Sequence, residues 1–192
     1  MRLGNVALLL AVIFSAFGAF AGEEIGIEDE FANPTNVPAS VAADIEKGLS
    51  DRACFAESKT TVGAALEAGT IDLGTPARFL LVKPKQPSKA GAAWGCLCGA
   101  YTCPMWIYSL EGAVGRRVWS SGGSSVETIA RKDHGSMRLL LSSGSAGHQE
   151  MTLYAWNGRE YAVLREKSVS GGDMGEQAER DMAKFRSDAS RE

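Results

Sequence analysis

From about residue 78 onward the chain is built of short apolar runs separated by Gly, Ser and Pro. Seven runs, at 78–83, 105–110, 116–120, 126–131, 137–142, 151–156 and 160–165, predict β-strands. Asn157-Gly158 lies between the last two and accepts the positive φ angles of a tight type I′ turn. The Gly-rich stretch 111–115 predicts a looser hairpin. The run 151–156 is apolar on both faces, the pattern of a strand covered from two sides or of one that presents a sticky face. Earlier in the chain Val41, Ile45 and Leu49 repeat every four positions. Asp44 lies near the start of this stripe, with Lys47 and Arg52 near its end. The spacing predicts a helix over 40–53, capped by the Ser40 hydroxyl.

The ends read differently. Arg2, the apolar run 6–17 and the small-x-small triplet Ala19-Phe20-Ala21 have the three-part layout of a cleavable export signal over 1–21. The run falls short of the ~20 residues that span a bilayer, and acids follow it directly. Residues 22–38 are acidic, contain Pro34 and Pro38, and predict a flexible lead-in. The tail 168–192 offers Asp173 as a helix cap with Glu176 three places on, and Met174, Ala178, Met182 and Phe185 on one face. Whether that helix docks is left open by the pattern. The resulting expectation is an α+β domain over 39–167. An N-terminal helix packs on an antiparallel β-meander of about six or seven strands.

Composition narrows the function classes. The formal net charge is −3, which argues against nucleic acid and against attraction to an anionic membrane. Lys83, Lys85 and Lys89 form a local basic stretch that reads as a solvated loop. The four cysteines, Cys54, Cys96, Cys98 and Cys103, are an even number in a chain read as exported, so disulfides are expected. Three pairings are open. Cys98 and Cys103 bracket a short loop that can close on itself, and Cys54 would then join Cys96. A zinc site on Cys96, Cys98 and Cys103 with His134 or His148, and a redox pair, are the competing readings. Neither shows the Cys-x-x-Cys spacing such sites use.

Two stretches are alike. Residues 77–82, 105–108 and 117–119 match 137–142, 151–154 and 161–163 in order. Each unit runs strand, small-residue loop, strand, turn, strand, as a duplication would give. Each unit resembles an FG-GAP-type blade, so the chain carries up to two blade-like repeats. Loops of that family hold several acids for calcium. In this chain Asp72 and Asp133 are the single acids at those positions, so the resemblance implies calcium binding lost. The layout is also similar to small periplasmic proteins that block lysozymes or neutralise peptidoglycan-directed toxins, which use a Ser/Gly loop as a plug. The stretch 143–147 is of that kind.

A catalytic constellation is hard to draw. Ser145, His148 and Asp133 supply the residue types of a Ser–His–Asp set, but the Gly-x-Ser-x-Gly elbow is absent. Asp133, Glu127, Glu150 and Glu160 supply acids for glycoside chemistry, yet they fall at strand ends where solvent-facing charge is ordinary. The expectation is an exported, non-enzymatic binding protein, periplasmic or secreted, with no cofactor and no metal. Its partner would be another protein of the cell envelope, which it inhibits or neutralises. Candidate contact residues are Ser143, Gly144, Ser145, Gly147, His148, Tyr101 and Trp156. A hydrolase using His148 and a structural envelope module are the alternatives.

Overall fold

Strand pairing follows sequence order almost throughout, and the chain changes sheet twice, after β1 and again between β6 and β7. The computed structural model describes residues 22–110, 115–145, 147–170 and 175–191. The expected export signal, the segment 111–114, Ala146, and the tail residues Asp173 and Met174 lie outside the described residues. Among the described residues the strands are β1 (Glu24–Gly26), β2 (Pro34–Thr35), β3 (Leu66–Ile71), β4 (Phe79–Pro84), β5 (Cys103–Ser109) and β6 (Arg116–Gly123). They continue with β7 (Ser125–Asp133), β8 (Ser136–Ser145), β9 (His148–Trp156) and β10 (Tyr161–Ser170). The first sheet has the order β2-β3-β4-β5-β6 and the second β1-β7-β8-β9-β10, antiparallel at every pairing.

All seven expected strands are present, as β4 to β10. They form two sheets rather than one, because the chain crosses at Ser124 instead of turning back. Gly123 makes the crossing fit: a Cβ there would lie 2.5 Å from the Leu141 side chain and 2.8 Å from the Ser142 carbonyl. The two similar stretches occupy corresponding positions, β4-β5-β6 in one meander and β8-β9-β10 in the other.

Alternation along the strands then builds three apolar layers. Between the sheets lie Phe79, Leu81, Met105, Ile107 and Trp119 from one side, with Val126, Leu139, Leu141 and Tyr161 from the other. The opposite face of the first sheet presents Leu80, Val82, Trp106 and Tyr108 to the helices α1 (Ala39–Gly48), α2 (Ala53–Glu57) and α3 (Val62–Ala65). Val41 and Ile45 of α1 are fully buried there, each contributing about 1.5–3 kcal/mol. Two further short helices, α4 (Pro87–Ala90) and α5 (Trp94–Leu97), follow β4. On the outer face of the second sheet, Ile129, Leu140, Met151 and Leu153 meet Met182, Phe185 and Ala189 of the C-terminal helix α6 (Glu176–Ala189). The tail helix therefore docks, and β9 is covered on both sides.

Several local expectations are corrected. The helix predicted over 40–53 ends at Gly48, and a second begins at Ala53. Its cap position is Pro38, with no side-chain cap bond from Ser40. The lead-in 22–38 is structured: β1 pairs with β7, β2 with β3, and Ile25 and Phe31 are buried. Lys83 belongs to no solvated loop. It lies within β4 wholly buried, with Nζ donating to the carbonyls of Ile27 (3.1 Å) and Asp29 (2.6 Å) and to Glu67 Oε1 (2.5 Å). The type I′ geometry falls at His134-Gly135, where both φ angles are positive (47° and 88°) between the partners Asp133 and Ser136. Asn157-Gly158 instead opens a four-residue loop between the partners Trp156 and Tyr161. The Asn157 side-chain oxygen accepts from the backbone N–H groups of Arg159 and Glu160, both at 2.9 Å, an Asx-type turn that replaces the two-residue one.

Candidate functional site

Both loop systems singled out in the sequence end at the same side of the sandwich. Cys98 and Cys103 are disulfide-bonded, closing the loop that carries Tyr101, and the backbone N–H of Gly99 donates to the Thr102 carbonyl at 2.9 Å inside it. Cys54 is bonded to Cys96, joining α2 to α5. All four cysteines are thus paired, in the pairing that closes the short loop and joins Cys54 to Cys96. Two disulfides fit a chain that folds in an oxidising compartment. No described helix is long and apolar enough to cross a membrane.

Tyr101 is 54% exposed. It lines a cleft of about 450 Å³ together with Ser124, Ser142, Ser143, Gly144 and Ser145. Gln149, Glu150 and Met151 of β9 and Met182 of α6 complete the lining. The volume falls within the range of small-ligand and peptide pockets. Of the expected contact residues, Tyr101, Ser143, Gly144 and Ser145 are brought together. Gly147 and His148 are neighbours of the cleft on the hairpin tip rather than lining residues. Trp156 lies at the other end of β9, roughly 26 Å from His148 at strand rise. It is half-buried and packs edge-on against Phe79 (6.5 Å) and Tyr161 (5.2 Å) beside the inter-sheet core, away from the cleft.

The stretch 143–147 is no free plug loop. β8 continues through Ser145 and pairs with β9 as Ser143–Glu150, Gly144–Gln149 and Ser145–His148. Ser124, Gln149 and Met182, which sequence reasoning missed, enter the cleft only through the sheet crossing, the strand register and the docking of α6. No local pattern in the sequence marks them.

The Ser–His–Asp set drawn from the sequence is not assembled. Asp133 sits beyond the far end of β8, roughly 30 Å from Ser145 at strand rise. There the Arg138 guanidinium donates to its carboxylate at 2.7 Å and holds its carboxyl below the usual range. The carboxylate nearest His148 is Glu150, at 3.7 Å. Of the four acids considered for glycoside chemistry, Glu150 is the one that lines the cleft. Glu127 lies against Arg186 of α6 at 2.8 Å; burial pushes its carboxyl up, and the guanidinium opposes that. Glu160 belongs to the turn before β10. Asp72, the other acid placed by the blade resemblance, accepts from the Gly74 backbone at 2.7 Å. Among the described residues no three His, Cys, Asp or Glu side chains gather into a metal-binding group.

Compared with known proteins, the chain matches no protein-family model, no curated protein and no solved structure.

Proposed function

We propose that this protein is an exported, non-enzymatic binding protein. In this reading it is periplasmic or secreted, and it inhibits or neutralises an enzyme or toxin acting on the cell envelope. The observation that supports the reading is the convergence of Tyr101 with residues 143–145. An aromatic side chain on a disulfide-closed loop faces a hairpin tip across a cleft lined by neutral polar groups, two methionines and one carboxylate. Exposed tyrosines held on rigid loops supply contact area at little cost in conformational entropy, and they are enriched at protein interfaces.

The test is capture from envelope extracts and secreted fractions with oxidised protein covering residues 22–192, alongside the Tyr101→Ala and Ser145→Arg variants. The reading expects one stoichiometric partner, a wall-active enzyme or a toxin, retained by the unaltered protein and lost about tenfold or more by each variant. Equal capture by all three proteins would remove the cleft from the interface. Self-association with no partner would favour a structural module of the envelope.

A further inference from the structure

The β8–β9 hairpin outruns its sheet. β7 begins at Ser125, opposite Ser142, and the chain before it leaves for the first sheet at Ser124. Residues 143–145 are therefore paired with β9 on one edge and with no described strand on the other. Backbone groups along an antiparallel ladder alternate sides with a period of two. The Ser142 carbonyl points toward the β7 side, where it accepts from the Ser124 N–H at 2.7 Å and the Ser124 hydroxyl at 3.0 Å. Two residues on, the N–H and C=O of Gly144 point the same way, past the end of β7. Four consecutive residues of β8, from Ser142 to Ser145, line the cleft. Gln149, Glu150 and Met151 of β9 line it as well, so the cleft takes in the open edge of β8 together with the face of the hairpin beside it.

Resting on the binding-protein reading of the same cleft, we infer that its occupant is an extended peptide segment of the partner, added to the second sheet as a short strand against Gly144. An edge whose donor and acceptor meet no strand among the described residues is the element that strand addition uses. The fold already accepts additions of this length, because β1 completes the same sheet with only three residues on β7. Tyr101 stands across the cleft as the side-chain contact. Glu150, the one charged residue in the lining, favours a basic side chain on the incoming strand.

The test selects linear peptides from a displayed library against the oxidised protein, covering residues 22–192. Selected peptides are then mapped by amide-resolved NMR and resynthesised with each amide N-methylated in turn. The inference expects shifts at the Gly144 and Ser145 amides and at the Tyr101 ring. It also expects a loss of about tenfold or more when the amide facing Gly144 is methylated, and little loss at the amides on either side of it. Gly144→Pro, which removes the edge donor, should weaken the same peptides by a similar factor, while the N-methyl series on the unaltered protein does not depend on that variant folding. Failure to select any peptide, mapping to another surface, or indifference to N-methylation would each overturn the inference. So would a cell-wall oligosaccharide that shifts the Tyr101 ring where no peptide does. If partner capture is lost in Tyr101→Ala while N-methylation has no effect, the cleft stands and strand addition falls. The reverse pattern would retain strand addition and remove the proposed partner.

Discussion

Lys83 and Glu67 are direct ladder partners on β4 and β3, and the Lys83 ammonium donates to the Glu67 carboxylate from a wholly buried position. The same ammonium holds the carbonyls of Ile27 and Asp29 and lies 5.2 Å from the centre of the Phe31 ring. One side chain thereby orders the N-terminal segment that supplies β1 and β2. Lys83→Ala leaves a carboxylate and two carbonyls without their donor, a loss of about 3 kcal/mol or more. Glu67→Gln keeps an acceptor for the ammonium and should cost clearly less. Urea denaturation of the two variants checks the order. Equal losses would show that the carbonyl contacts contribute little.

The two disulfides differ in the length of chain they close. Cys54 and Cys96 are 42 residues apart, and Cys98 and Cys103 are 5 apart. Restriction of the unfolded chain then makes the first worth about 4 kcal/mol and the second about 2 kcal/mol. Paired Ser substitutions measured by denaturant midpoint should reproduce that order. Cys98→Ser with Cys103→Ser should also weaken partner capture, because the Tyr101 loop loses its closure. Intact mass and thiol labelling of the protein as isolated without reductant should find no free thiols.

Alkaline pH should unfold this protein through its buried phenols. Burial pushes Tyr161 up to about 12, although its hydrogen bond with the Ser136 hydroxyl works against the shift. Tyr108, fully buried and donating to Asp44 at 2.7 Å, is raised further, by burial first and then by that carboxylate. For a group whose folded pKa lies above its unfolded value, the stabilisation is complete below about pH 10 and is lost as pH rises through the folded value. Tyr161 alone accounts for about 3 kcal/mol on that scale. Stability should fall between about pH 10 and pH 12, and Tyr161→Phe should flatten part of the fall. A fall of unchanged steepness in that variant would assign the loss to other groups.

The C-terminal helix covers an apolar face that cannot stay bare. Phe185 packs in the outer cluster under the Arg165 guanidinium, 4.5 Å from its ring centre. The Arg138 guanidinium donates to the Ala189 carbonyl at the end of α6 at 3.2 Å. Phe185→Ala should cost about 3 kcal/mol. Ending the chain at residue 170 uncovers Ile129, Leu140, Met151 and Leu153 together and should drive association visible by light scattering. A monomeric truncated protein of unchanged stability would contradict the docking of α6.

The strands from β4 to β10 were legible as short apolar runs bounded by Gly, Ser and Pro, and α6 because its apolar face repeats at helical spacing. β3 was not, since Leu66–Ile71 is rich in small residues. Their smallness answers to tertiary packing: a Cβ on Gly69 would lie 2.3 Å from the Phe31 ring. β1 and β2 are too short to signal strands, and the segment that carries them is tied down by Lys83, read from the sequence as a loop charge. The division into two sheets rests on one residue, Ser124, which local pattern cannot tell from a hairpin turn. Half of the site followed from chemistry, a Tyr in a Cys-bracketed loop and a Ser/Gly tip. The other half needed register, which places Trp156 at the wrong end of β9 and brings Ser124, Gln149 and Met182 to the cleft.

The crossing at Ser124 also decides what each half of the chain can do alone. A fragment ending at Gly123 would carry β2 to β6 with their helices, but also β1, which belongs to the other sheet. A fragment from Ser124 onward would hold four strands of its own sheet and lack the fifth. The halves are thus interlocked by strand donation as well as by their shared inner face. A protein split at this point should behave as a complementing pair, each fragment insoluble by itself and restored by the other.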